Sequence, residues 1–133
     1  MFEMYVEATV RGYHAYLHNT SVRIGEIFAC EIELDNPHDK YAVAVKKQNG
    51  MLVGHVPKEL SRPFNKFLRE YGDLEAECIG HRMNAGKGNG VEIPVDFRFV
   101  AADEFDLGRL KRKLSKMDLA DDISISKIQQ KTE

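Results

Sequence analysis

Short runs of alternating apolar and polar residues recur along the chain, and this period of two predicts β-strands. Residues 3–12 are rich in β-forming side chains, and every second residue from Phe28 to Leu34 is apolar. An Asn-Gly pair at residues 49–50 marks a hairpin turn. Further strand patterns cover residues 41–48, 51–56, 74–83 and 91–100. We therefore expect six strands.

A helical pattern follows the fourth predicted strand. Its apolar residues, spaced at i, i+3, i+4 and i+7, are Phe64, Phe67, Leu68 and Tyr71. Because proline lacks an N–H group and clashes with the preceding turn of a helix, Pro63 is unsuited to a helix interior. We therefore expect Pro63 to open this helix behind Ser61 as the N-cap, and Gly72 to end it.

A second helical pattern lies near the C-terminal end of the chain, although Gly108 weakens it. Its apolar residues are Phe105, Leu110, Leu114 and Met117. Residues 118–133 show no strong pattern, which indicates a flexible tail.

The order of these elements favours a closed barrel, since a flat sheet of short strands would leave two edges open. We predict a mainly β (α+β) fold, a small OB-like six-stranded β-barrel with one inserted helix and a C-terminal helix. The barrel is expected in residues 1–101, the C-terminal helix in residues 102–117 and the tail in residues 118–133.

The composition excludes several classes of protein. Of the 133 residues 43% are hydrophobic, yet no apolar run approaches the roughly 20 residues of a membrane span, and no signal peptide is evident, so we expect an intracellular protein. Cys30 and Cys78 are far apart, and the five histidines lack metal-ligand spacing, so we expect no metal and no cofactor. Without a P-loop or a nucleophile elbow, a binding module is expected rather than an enzyme.

The net charge of −2 hides an asymmetry. Residues 40–69 contain seven Lys or Arg against one Glu, a net charge of +6. Residues 1–39 contain seven Asp or Glu against two Arg, a net charge of −5. A second basic run, residues 109–116, is most simply a solvated helix surface. The first basic block is more informative because it adjoins the polar residues 35–40, DNPHDK, here called the polar loop.

The polar loop begins the more specific of the sequence patterns. It continues into YAVAV, and after Gly50 the motif VGHVPKEL follows at residues 53–60. This pair of motifs resembles the HIRAN domain family over residues 5–100. The resemblance implies a modified OB-like barrel with two helices that captures the 3′ end of single-stranded DNA, in a repair or replication context. Family members carry the domain in front of a DNA-translocating ATPase, for which this chain has no room, so a stand-alone module is expected.

The resemblance also implies site residues. In the family an aspartate of the polar loop receives the terminal 3′-hydroxyl, basic side chains and a histidine hold the backbone, and a late phenylalanine packs beside them. The matching residues here are Asp39 with its neighbour Lys40, His55, Lys58 and Phe99.

The aromatic residues that stack on bases in the family are where this chain departs from the pattern. His38 stands in the place of the polar-loop tyrosine. An alignment on Gly12 puts His14 at the family's arginine and Ala15 at its second stacking tyrosine, with Tyr16 next along the chain.

Two functions therefore stay open. The first is a module that binds single-stranded DNA at a free 3′ end, which Asp39, Lys58 and the basic block favour. The second is a protein-interaction adaptor with weak or no DNA binding, docking a partner through its C-terminal helix, which Ala15 and His38 favour. Asp39 is explained equally well as a cap of its own turn, and His55 as a structural histidine.

Overall fold

A computed structural model describes residues 1–12, 21–81, 91–118 and 123–131, and these residues form eight strands and two helices. The strands are β1 (Phe2–Gly12), β2 (Ile27–Ile32), β3 (Val43–Lys46), β4 (Leu52–His55), β5 (Gly72–Cys78), β6 (Val91–Ala101), β7 (Ser124–Ile125) and β8 (Gln129–Gln130). The helices are α1 (Lys58–Glu70) and α2 (Glu104–Ser115). Neither helix is long and apolar enough to cross a membrane, within this described part of the chain.

The first six strands close into an antiparallel barrel in the order β4-β3-β2-β5-β6-β1. Strands β1 and β6 pair along their whole length, from Phe2 opposite Ala101 to Gly12 opposite Val91. The barrel closes because β1 also pairs with β4, where Arg11 lies opposite His55. The predicted six-stranded barrel with two helices is confirmed.

The closure brings the backbones of β1 and β4 unusually near to each other at Gly54. A Cβ atom on Gly54 would lie 2.8 Å from the carbonyl carbon of Arg11 and 2.9 Å from Cα of Gly12. Real Cβ atoms do not approach backbone atoms this closely, so the glycine of the VGHVPKEL motif is needed for the strands to meet.

The core fills the barrel and the space beneath α1. Alternate residues of β6 point inward, and Phe97 and Phe99 are fully buried. The ring of Phe99 packs edge-to-face against Phe64 and Phe67 of α1, with centroids 4.8 and 5.0 Å apart. Edge-to-face packing places the positive ring edge on the negative face of its neighbour, which adds to the stabilisation from burial.

Two predictions at the ends of elements were wrong. Helix α1 begins at Lys58 and contains Pro63, because Leu60 and Ser61 of its first turn are 2% exposed and the Ser61 hydroxyl donates to the Lys58 carbonyl at 2.9 Å. The stabilisation from packing this turn outweighs the one backbone hydrogen bond that proline cannot donate. Leu34 was expected on a buried strand face, but β2 ends at Ile32 and Leu34 is 85% exposed.

Helix α2 contacts β1, β6 and α1. It begins behind Asp103, whose carboxylate accepts the Phe105 N–H at 2.9 Å. Leu107 is buried in its apolar face, whereas Phe105, which the sequence pattern assigned to that face, is 71% exposed. The residues that follow were expected to form a flexible tail, and their short strands β7 and β8 were not predicted. Both pair with the first half of β1, an edge that β4 does not reach.

Candidate functional site

The polar loop, the end of β4 and the start of α1 surround one cleft of about 240 Å³, here called the polar-loop cleft. Its lining residues are Arg11, Gly12, Asn36, His38, Asp39, Ala42, His55, Val56 and Lys58. Four predicted site residues therefore come together at this cleft, although they lie in two motifs that are separated by a hairpin.

The turn of the polar loop is built by Asn36. Its Oδ1 atom accepts the backbone N–H groups of His38 at 2.8 Å and Asp39 at 3.0 Å, while Nδ2 donates to Glu33 Oε1 at 2.9 Å. An asparagine that bonds the backbone two and three residues later replaces the hydrogen bonds a loop lacks. Together with the fixed φ of Pro37, these bonds present His38 and Asp39 at the cleft.

Asp39 has a structural role, and part of its carboxylate remains open. Its Oδ1 atom accepts the Tyr41 N–H at 2.9 Å, and its carbonyl accepts the Ala42 N–H at 3.1 Å. The other carboxylate oxygen, Oδ2, has no hydrogen-bond donor among the described residues. A carboxylate can accept several hydrogen bonds, so the turn leaves Asp39 able to accept one from a ligand.

His55 is tied to the polar loop through Glu33, with 3.0 Å between His55 Nε2 and Glu33 Oε2. An ionised carboxylate only accepts, so the imidazole donates through Nε2. Partial burial raises the pKa of the Glu33 carboxyl, but the hydrogen bonds from His55 and Asn36 outweigh it, and the pKa is lowered from 4.5. In this geometry His55 positions the loop against β4, which favours the structural interpretation over a direct backbone contact.

Glu33→Gln should reduce stability at neutral pH and have less effect in acid. A carboxyl whose pKa is lowered by folding contributes stability above its ordinary pKa, and that contribution is lost as the pH falls through the folded value. Urea denaturation should therefore show a gap between wild type and Glu33→Gln at pH 7 that narrows below pH 4.5. Glu70→Gln, a change at an exposed position in the last turn of α1, should leave stability unchanged. A gap that is the same at both pH values would contradict the assignment.

Arg11 is a cleft residue that the sequence reasoning missed. Its guanidinium donates two parallel hydrogen bonds to the Glu59 carboxylate, at 2.7 and 2.6 Å, and lies 3.4 Å from Glu92 Oε1. The hydrogen bond to Glu59, outweighing burial, raises the pKa of Arg11. This pair fixes the first turn of α1 against β1 and so places Lys58 at the cleft. The sequence feature that could have indicated Arg11 is Glu59, because a single acidic residue within the basic block calls for a basic partner elsewhere in the chain.

Of the three remaining predicted site residues that the structure describes, one lies at the cleft and two do not. Lys58 lies at the cleft, is exposed and makes no ion pair with any described residue. Lys40 is not part of the lining, since its Nζ lies over the Tyr41 ring, 5.1 Å from the centroid. Phe99 is fully buried beneath α1, so its ring is not accessible to a ligand in the cleft.

His14 and Tyr16 lie outside the described residues. Among the residues that are described, no three His, Cys, Asp or Glu side chains come together as a metal site. Cys30 and Cys78 are buried free thiols, and burial raises the pKa of Cys30 to about 12.

The chain is similar to known proteins in both sequence and structure. The sequence model of the HIRAN domain family matches residues 1–102. The crystal structure of the HIRAN domain of human HLTF is 24% identical with a TM-score of 0.67, covering 86% of this chain and 91% of that one. The NMR structure of the HLTF HIRAN domain in its DNA-bound conformation is 24% identical with a TM-score of 0.60, covering 84% and 86%. A comparison with curated proteins found no match.

The family match spans both motifs of the polar-loop cleft and all six barrel strands. The solved HLTF domain has the same fold. On this evidence the chain belongs to the HIRAN domain family.

Proposed function

We propose that this protein is a DNA-binding module that takes the free 3′ end of a single strand into the polar-loop cleft. The observation that carries the proposal is the open Oδ2 of Asp39 in the same cleft as Lys58, which has no ion pair among the described residues. A cleft lined by both a carboxylate and a cation suits a terminal nucleotide, which offers a hydroxyl at one side and a phosphate at the other.

The carboxylate supplies the selectivity for an end. A 3′-hydroxyl donates a hydrogen bond to Oδ2, whereas a phosphate at the same place, either terminal or in a continuing strand, would be repelled by it. Lys58, in the first turn of α1, attracts the preceding phosphate, and the positive end of the helix dipole adds to that attraction.

The last base needs a stacking partner, and His38 is exposed at the cleft. Its imidazole offers less area than the tyrosine found there in the family. Stacking on an aromatic side chain contributes roughly 1–3 kcal/mol per base, so we expect moderate affinity.

The fold supports the proposal as well, since the HLTF HIRAN domain has been solved in a DNA-bound conformation. A module of this kind would act inside the cell, where strands are interrupted during DNA repair or replication. Recognition alone requires no bond to be broken, so we propose a binding module rather than an enzyme.

Fluorescence anisotropy at low salt tests the proposal with three labelled oligonucleotides: a single strand with a 3′-hydroxyl, the same strand with a 3′-phosphate, and a blunt duplex. The hydroxyl strand should bind at least about tenfold tighter than the phosphate strand, the difference expected for one hydrogen bond to a charged group. Lys58→Ala should weaken both single strands by a similar factor, because it removes a phosphate contact only. Equal affinity for both ends would disprove end recognition.

A protein-interaction adaptor is the second candidate, and one observation favours it. Phe105 in the first turn of α2 is 71% exposed, and a large exposed aromatic residue is a frequent anchor of protein interfaces. If none of the three oligonucleotides binds at low salt, α2 becomes the surface with which to search for a partner.

A further inference from the structure

A second basic surface lies beyond the polar-loop cleft, in a groove of about 370 Å³ between α1 and α2. Four basic side chains line it, two from each helix: Arg62, Lys66, Arg109 and Lys113. Its floor is apolar and includes Pro63, Phe67 and Leu110. We call this surface the helix groove.

Most of the positive charge of the helix groove has no counter-charge among the described residues. Lys66, Arg109 and Lys113 make no ion pair with any described residue, although Asp106 also lines the groove. By contrast, several basic residues of the barrel are paired with glutamates. Arg98 bonds two glutamates at 2.8 and 2.6 Å, for example. A groove lined by four cations and one carboxylate keeps a net positive charge, which attracts an external polyanion.

The helix groove is connected to the polar-loop cleft along α1. Lys58, Arg62 and Lys66 follow one another at intervals of four residues, so they lie on one side of the helix and span about 12 Å of its axis. Between cleft and groove, Arg62 Cζ lies 5.3 Å from the ring centroid of Tyr41, which directly follows the polar loop. Asn65 Nδ2 donates to the Tyr41 carbonyl at 3.2 Å and holds it against α1.

We infer that the strand whose 3′ end occupies the cleft continues along α1, past Arg62, and into the helix groove. This inference rests on the proposed function and extends it. The row of cations follows the phosphates, while the apolar floor of the groove offers a surface for bases. An acidic peptide would also suit the groove, but the row of cations begins inside the cleft, which favours one continuous strand.

The length of the oligonucleotide distinguishes binding at the polar-loop cleft alone from binding that also uses the helix groove. Single strands with a 3′-hydroxyl, about four and about twelve nucleotides long, lie within the site sizes of OB folds. Wild type should bind the longer strand more tightly. In Lys66→Ala/Lys113→Ala the gain from length should fall about tenfold, and the slope of log K against log salt for the longer strand should drop by about 1.4, for two phosphate contacts at about 0.7 each. Affinity for the short strand should stay at the wild-type value.

The matched control is Lys127→Ala/Lys131→Ala, which removes the same charge from exposed positions outside both surfaces and should retain the gain from length. If wild type binds both lengths equally, the helix groove is not part of the DNA path, while binding of the short strand still supports the proposed function. If neither strand binds, both proposals fail together. Binding of a polyglutamate peptide that depends on Lys66 and Lys113, without a gain from strand length, would overturn this inference and assign the groove to a protein partner.

Discussion

Gly54→Ala is expected to lower the free energy of unfolding by about 3 kcal/mol, the upper part of the range for steric overpacking. The added methyl group would meet backbone atoms of Arg11 and Gly12, which cannot rotate away as the end of a side chain can. Strand β4 is held by β3 on its other side, so it cannot retreat without breaking the pairing with Val45. Urea denaturation followed by far-UV circular dichroism measures the loss directly.

Gly108→Ala provides a control in which the same substitution should change stability in the opposite direction. In the middle of α2, a Cβ atom at this position would lie 3.4 Å from the end of the flexible Arg112 side chain. Replacing a helical glycine by alanine stabilises by up to about 1 kcal/mol, so the same substitution should raise stability here. If Gly54→Ala were as stable as wild type, the close approach of β1 and β4 would be disproved. Because Arg11 of β1 and His55 of β4 both line the polar-loop cleft, a destabilised closure should also weaken DNA binding.

The barrel could be predicted from local patterns, because each strand carries its own alternation of buried and exposed residues. Strand β6 shows this well, with Phe97 and Phe99 inward and Arg98 outward. Patterns failed where tertiary packing decides the outcome. The first turn of α1 is stabilised by the burial of Leu60 and Ser61, which a rule about proline does not contain. Strands of two residues, such as β7, are too short to carry a pattern.

The candidate site was predictable to the extent that its motifs are continuous. Asn36 and Asp39 lie in one loop, so their joint presentation follows from the sequence. The ion pair between Arg11 and Glu59 joins residues 48 positions apart, and only the register of the closed barrel brings them together. The same limit applies to Phe99. Alternation marks it as one of the inward residues, but the cover that α1 provides depends on how the helix packs.

Asp39→Asn should remove the preference for a 3′-hydroxyl while leaving the protein as stable as wild type. The amide oxygen can still accept the Tyr41 N–H, so the turn is kept. In place of Oδ2 stands an uncharged donor, which neither accepts the hydroxyl proton nor repels a phosphate. We expect the ratio of affinities for hydroxyl and phosphate ends to fall about tenfold to a hundredfold, as for the loss of a hydrogen bond to a charged group. Anisotropy with both strands measures this ratio.

Two further variants separate charge from structure. Asp39→Ala should lose the preference and, because the Tyr41 N–H also loses its acceptor, about 1 kcal/mol of stability. Asp35→Asn makes the same chemical change at an exposed position of the polar loop that does not line the cleft, so it should keep both properties. If Asp39→Asn retained the full preference for the hydroxyl, the carboxylate would serve the turn alone, and discrimination between ends would have to come from another group in the cleft. Because Asp39→Asn separates the two roles that Asp39 combines, it is the decisive substitution for this site.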